Sequence, residues 1–253
     1  EDLLGERRRR PLRDPCKDLT MRLAASAMEP HYLDHILPVW QGLPDDLRGT
    51  LWVPLKMHAY ARSVGVEHTI GRPIIDDVPV LVASWADLKR CRKAEREVIY
   101  MEHGAGQSYV GLKSGVDSYI GGNRDGVIGV LVPGEKAKQR QLEHHPEIAT
   151  FVVGCPKLDA WADVKPALPD TTAAVAHHWN CRIAPETMSA WRYFRPSWKA
   201  FTSEFTEVLG HAHPRIWKEI SQPYRHDGFV LTQSFDAVLS RAHVLGVDNS
   251  SVL

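Results

Sequence analysis

Three short segments place histidine, glycine, arginine and serine where a parallel-sheet protein can do chemistry. In Ile99-Tyr100-Met101-Glu102-His103-Gly104-Ala105-Gly106 an apolar run passes directly into a histidine followed by two spaced glycines. Imidazole is the side chain best matched to proton transfer near neutral pH. Gly104 and Gly106 let the backbone turn sharply and come close to a bound group. In Gly210-His211-Ala212-His213-Pro214-Arg215 a second apolar run ends at a histidine, and Pro214 suits the first position of a helix. His213 before that N-terminus and Arg215 in its first turn make a compact pocket for phosphate. In Val247-Asp248-Asn249-Ser250-Ser251 two hydroxyls follow a third run, which reads either as a phosphate cradle or as an ordinary polar turn. The two histidine segments also have plain readings, as a satisfied His in a Gly-rich turn and as a helix-capping His.

Several familiar chemistries are missing. The Gly104-x-Gly106 pair lacks the third glycine of a dinucleotide fingerprint, and there is no Walker A loop, G-x-S-x-G elbow or D-x-D pair. A kinase-like P-loop and a metal-dependent single-domain glycosyltransferase are therefore disfavoured. His211-x-His213 has no acidic or thiol neighbour in sequence, so no obligatory metal is expected. The four cysteines, Cys16, Cys91, Cys155 and Cys181, are far apart, which reads as reduced thiols, with Cys155 a core thiol. His177 and His178 end a strand and could face a cleft, whereas His144 and His145 read as a solvated helix end. Trp179, Trp191, Trp198 and Trp217 read as packing rather than a base-stacking array.

The elements that must position these groups follow from the pattern. The chain has 253 residues, with 31 Lys+Arg against 31 Asp+Glu, 43% hydrophobic and 25% charged. That composition is globular, and the charge balance argues against a general nucleic-acid binder. No apolar run approaches the roughly 20 residues of a membrane span. Residues 1–20 hold Arg7 to Arg10 without an apolar segment and read as a tail or extension. From Met21 onward, short apolar runs alternate with amphipathic segments, the signature of βαβ units. Strands are expected at 22–28, 51–53, 78–84, 98–101, 126–132, 151–153, 173–176, 207–209, 229–231 and 243–247. Helices are expected at 32–41, 56–63, 86–97, 136–142, 186–203 with a break at Pro196, 215–220 and 236–241. In the first helix Leu33, Ile36, Leu37 and Trp40 share one face. The fold class is α/β, two Rossmann-like domains facing across a cleft: 21–162, a linker at 163–172, and 173–253. The second domain stops soon after an apolar strand and is expected to be incomplete.

In order and spacing these islands resemble the CDP-glycerol glycerophosphotransferase family, the teichoic-acid polymerase and primase group of GT-B-type fold. Met101–Tyr109 looks like its W-H-G-T segment, Val152–Asp159 its strand leaving the first domain, Gly210–Arg215 its K-x-H-P segment, and Ser234–Ser251 its D-Y-S-S run. The resemblance implies a cytoplasmic transferase of cell-wall chemistry, with peripheral contact at the inner membrane face left open. It would move a glycerophosphate or glycosyl group from a nucleotide-diphosphate donor to a hydroxyl acceptor such as a glycan or polyol. By the same resemblance 21–162 is the acceptor-side domain and 173–253 the nucleotide-donor domain. His103 is then the general base, and catalytic His213 with Arg215 holds the donor diphosphate, Ser250 and Ser251 bonding its phosphates; Gly104, Gly106 and Asp248 are further candidate phosphate-binding residues. No cofactor is implied. Ala105 for Thr, Asn249 for Tyr and the glutamate in Ala184-Pro185-Glu186-Thr187 depart from the family pattern. A UDP-sugar 2-epimerase-like enzyme and a non-catalytic nucleotide-binding relative are the alternatives.

Overall fold

Apolar runs buried on both faces must lie side by side as parallel strands, and the order in which they lie decides where a ligand can enter. The computed structural model describes residues 22–72, 78–103, 124–159, 171–180 and 188–248. Gly104, Gly106, Ser250, Ser251, the tail 1–20 and most of the expected linker lie outside the described residues.

Among the described residues the chain forms two sheets in which every pairing is parallel. The first contains β1 (Leu23–Ser26), β2 (Arg48–Val53), β3 (Thr69–Ile70), β4 (Val80–Val82), β5 (Val98–Met101), β6 (Val127–Val132) and β7 (Ala149–Val152). Their spatial order is β3-β2-β1-β4-β5-β6-β7. The second contains β8 (Thr172–His177), β9 (Glu207–Ala212), β10 (Val230–Leu231) and β11 (Val244–Val247), in the order β10-β9-β8-β11. Strand order therefore reverses between β1 and β4, and again between β8 and β11. At such a reversal the connections leave on opposite faces, and a crevice opens beyond the carboxyl ends of the strands. The fold is α/β with Rossmann-like parallel sheets.

The helices cover these sheets with the faces that periodicity gives them. In α1 (Pro30–Gln41) the buried residues are Leu33, Ile36, Leu37 and Trp40. Each contributes about 1.5–3 kcal/mol by leaving water. α2 (His58–Ser63) packs on the same side, with Ala61 and Met57 in one core cluster with α1. On the other face lie α3 (Trp85–Lys93), capped by the Ser84 hydroxyl, and α4 (Glu135–His144). α5 (Pro156–Asp159) follows β7. The second sheet carries α6 (Trp191–Phe194), α7 (Trp198–Ser203), α8 (Trp217–His226) and α9 (Phe235–Arg241). Trp191, Trp198, Ile220, Tyr224 and Phe229 form its main core, which leaves Trp191 and Trp198 as packing residues.

Three departures from the periodicity have physical causes. α8 runs six residues past the expected Ile220, through Pro223, because Tyr224 is fully buried and its hydroxyl donates to the carbonyl of His211 at 3.0 Å. That tertiary contact outweighs the one helical hydrogen bond proline removes. The expected helix 186–203 appears over its described part as α6 and α7, separated by a 3-10 turn at Arg195–Ser197 that contains Pro196. β3 and α5 are two and four residues long, too short for any period to show.

Candidate functional site

The carboxyl ends of the two sheets meet. Beyond β1 the chain turns into α1, whose second and sixth residues are His31 and His35. Beyond β5 stands His103, and beyond β8 stand His178 and Trp179. Beyond β9 comes His213, which caps a 3-10 turn at Pro214–Ile216.

The aromatic rings of these residues form a continuous series across the junction. His103 lies 6.0 Å from His35 and 5.0 Å from Tyr32, centroid to centroid. Tyr32 lies 3.9 Å from His31, and His31 lies 5.9 Å from His213 on the other sheet. His213 in turn is 5.9 Å from both His178 and Trp179, and the Arg215 guanidinium sits 4.2 Å above the Trp179 ring. An arginine over an indole face is held by charge–quadrupole attraction and keeps its N–H groups at the edge. Lys157 of α5 reaches Asp34 of α1 at 3.9 Å, while the Tyr60 hydroxyl donates to the same carboxylate at 2.5 Å.

Burial and mutual repulsion keep four of these imidazoles, those of His31, His35, His103 and His213, neutral. Burial, reinforced by His103, His213, Arg215 and Lys157, pushes His31 down to about 3. Burial with Lys157, His103 and His31 does the same to His35, also to about 3. His103 falls to about 4, chiefly through burial; a hydrogen bond with the backbone of Ala83 works against it and Lys157 with it. His213 falls to about 4 through burial, then His178, Arg215 and His211. Its Nδ1 accepts the Arg215 backbone N–H at 3.1 Å, so the neutral ring carries its proton on Nε2. His213 is thereby fixed as a hydrogen-bond donor.

His103, His213 and Arg215, singled out in the sequence, are thus brought to one place. Asp248, expected among the groups holding a donor phosphate, is engaged by the chain itself. It is buried and accepts from His178 N at 2.7 Å, His177 Nδ1 at 3.2 Å, and Ser189 Oγ and Ala190 N at 3.1 Å. Burial alone would raise its carboxyl, but these bonds outweigh it and hold the group below the usual carboxylate range. Of the adjacent pair, His178 meets His213, whereas His177 turns into the aromatic core against Trp198 and Tyr224. Cys155, expected in the core, is half-buried. His31, His35 and Lys157 lie outside the segments singled out by residue type and spacing. A signal for His31 was available, since Met28-Glu29-Pro30-His31 is the first strand-to-helix turn, the position most often used for phosphates in doubly wound sheets. Among the described residues no group of three His, Cys, Asp or Glu side chains could hold a metal ion.

No protein-family model matches the chain, and no curated protein matches it. Solved structures do. S. aureus MnaA, solved with UDP, superposes with a TM-score of 0.62 at 12% identity over 92% of this chain and 75% of that one. The UDP-GlcNAc 2-epimerase of Neisseria meningitidis, solved with UDP-GlcNAc, gives 0.56 at 14% over 92% and 78%. That of Methanocaldococcus jannaschii, with UDP-GlcNAc and UDP, gives 0.58 at 13% over 92% and 80%. The fold is that of the UDP-GlcNAc 2-epimerases.

This corrects the resemblance to CDP-glycerol glycerophosphotransferases, and with it the transferase activity and the glycosyltransferase assignment that it implied. The reason lies in what the four islands are. Over their described residues three lie at strand ends, after β5, β7 and β9, and the fourth runs through α9 and β11 to Asp248. Such segments report an architecture shared by proteins of different chemistry rather than a transferred group. No helix among the described residues is long and apolar enough to cross a membrane.

Proposed function

We propose that this chain binds a uridine diphosphate sugar between its two sheets and inverts the sugar at C2, the reaction for which the epimerases of this fold are named. The observation that carries the reading is the meeting of His31 and His103 from one sheet with His213 and Arg215 from the other, at two strand-order reversals. Arg215, stacked over Trp179, and the Nε2–H of His213 are donors suited to a diphosphate. Lys157 adds a second cation near His31, so charge on the diphosphate is met without an obligatory metal. Inversion requires a base to take the C2 proton and an acid to return one to the opposite face. His103, a neutral imidazole at the junction, is the group we assign to proton acceptance.

The test is incubation with UDP-GlcNAc in deuterated water, followed by proton NMR. The expected result is loss of the C2 proton signal and appearance of the epimer with manno configuration. UDP-GlcNAc binding without either change would overturn the reaction and leave a nucleotide-sugar-binding protein. Absence of binding would overturn the reading as a whole.

A further inference from the structure

We propose that His31 is a ligand-binding residue of the cleft, whose imidazole takes a proton from solvent as a diphosphate enters and donates a hydrogen bond to it. The inference deepens the reading above, since it rests on a diphosphate being the ligand, and concerns a residue outside the three sequence islands.

The placement of His31 argues for it. The residue stands in the first turn of α1, at the reversal between β1 and β4, where backbone N–H groups point out of the sheet. Its ring lies on Tyr32 and meets His213 across the junction. Neither ring nitrogen has a hydrogen-bond partner among the described residues, although the ring is largely buried. The charged and titratable groups that act on it most strongly are neutral bases or cations: His103 from the end of β5, His213 and Arg215 from the second sheet, and Lys157 from α5.

The nearby carboxylates are engaged elsewhere. Glu29 pairs with Lys56, and Asp34 is held by Tyr60 and Lys157. Asp87 is held by Ser26, Ser84 and the backbone of Met28, and Asp248 by the four donors described above. The charge of Asp236 of α9 acts on Asp34 and Tyr60, raising both. Without a ligand, the surroundings of His31 therefore oppose its protonation. A doubly charged diphosphate reverses the sign of that field, and the imidazole becomes a charged donor. Burial makes the change large, because water screens it poorly.

The probe is UDP-GlcNAc, whose doubly esterified diphosphate does not itself titrate between pH 5 and 8. Calorimetric titrations at pH 6 in buffers of different ionisation heat count the protons taken up on binding. The expected result is uptake on the order of one proton per ligand, with affinity weakening by up to about tenfold per pH unit as pH rises. In His31→Asn the uptake should vanish and binding should weaken, with the melting curve confirming the fold; His31→Gln serves the same end if His31→Asn does not fold. A merely structural histidine would change affinity without changing the proton count. Binding of UDP-GlcNAc by the wild type without uptake, or uptake undiminished in a folded variant, would overturn the proposal. ADP-glucose carries the same diphosphate on another base. Uptake with ADP-glucose where UDP-GlcNAc fails to bind would keep His31 and overturn the uridine reading; binding of neither would overturn both.

Discussion

The Asp248 carboxylate accepts the backbone N–H of His178 at 2.7 Å, as the Asp87 carboxylate accepts that of Met28 at 3.2 Å. Each acceptor follows the strand on the far side of a reversal, β11 in one sheet and β4 in the other, and each donor lies just beyond the first strand. Serine hydroxyls complete both arrangements, Ser189 for Asp248 and Ser26 with Ser84 for Asp87. The two sheets, which share no detectable sequence repeat, thus fix the loops bearing His31 and His178 by the same device. A buried carboxylate satisfies N–H groups that a sheet reversal leaves without partners.

Replacing Asp248 by alanine strands three buried donors, and should cost about 3 kcal/mol. For a chain of this size that is a fall of roughly 6–12 °C in melting temperature. A melting temperature within two or so degrees of wild type would show that the carboxylate does not hold the loop.

Acid should destabilise the fold well before its carboxylates are exhausted. Burial holds His31 and His35 at about 3 and His103 and His213 at about 4. The unfolded chain takes up these protons near 6.5, so stability is complete above that pH and is lost as pH falls toward the folded values. Each histidine contributes up to about 1.4 kcal/mol per pH unit within its window. Asp34 and Asp87, whose carboxyls burial raises, act in the opposite sense near their own titration. Urea midpoints at pH 7, 6 and 5 should fall in that order; a constant midpoint would contradict the buried neutral cluster.

Arg215→Ala removes the cation stacked on Trp179. Loss of a charged hydrogen bond of about 1.5–3 kcal/mol predicts UDP binding weaker by roughly 10- to 100-fold in calorimetry. Arg215→Lys keeps the charge without the planar stack and should fall between the two. Equal affinity in all three proteins would remove Arg215 from the site.

His103→Gln keeps a polar group but no titratable nitrogen. Exchange of the C2 proton should slow by about 10²- to 10⁴-fold while KM stays near its wild-type value. Unchanged exchange would move the base elsewhere in the ring series.

Gly210 has a packing role that its place beside His211 conceals. A Cβ there would stand 2.8 Å from the Tyr224 Cδ2, so Gly210→Ala should destabilise by about 1–3 kcal/mol in urea titrations. A neutral effect would mean that the Tyr224 ring can yield.

Much of the architecture was legible along the chain. The four buried residues of α1 were readable from spacing alone, because an amphipathic face is a local property of a helix. Fully buried Val80, Leu81 and Val82 announced a parallel strand for the same reason. The strand-end positions of His103 and His213 followed from those elements, and with them the junction where a ligand would sit.

What the chain could not state was partnership across distance. The approach of His31 to His213 joins residues 182 positions apart, and the carboxylate of Asp248 meets donors 58 to 71 positions away. Lys157 enters the site only because α5 packs against α1. The sequence by itself determined the alternation of strands and helices and which turns lie at the carboxyl edge, since both depend on neighbours within a few residues. Only the tertiary structure decided which of those turns meet, which polar groups are consumed in holding them, and that the imidazoles between them stay uncharged, because burial and field are sums over the whole fold.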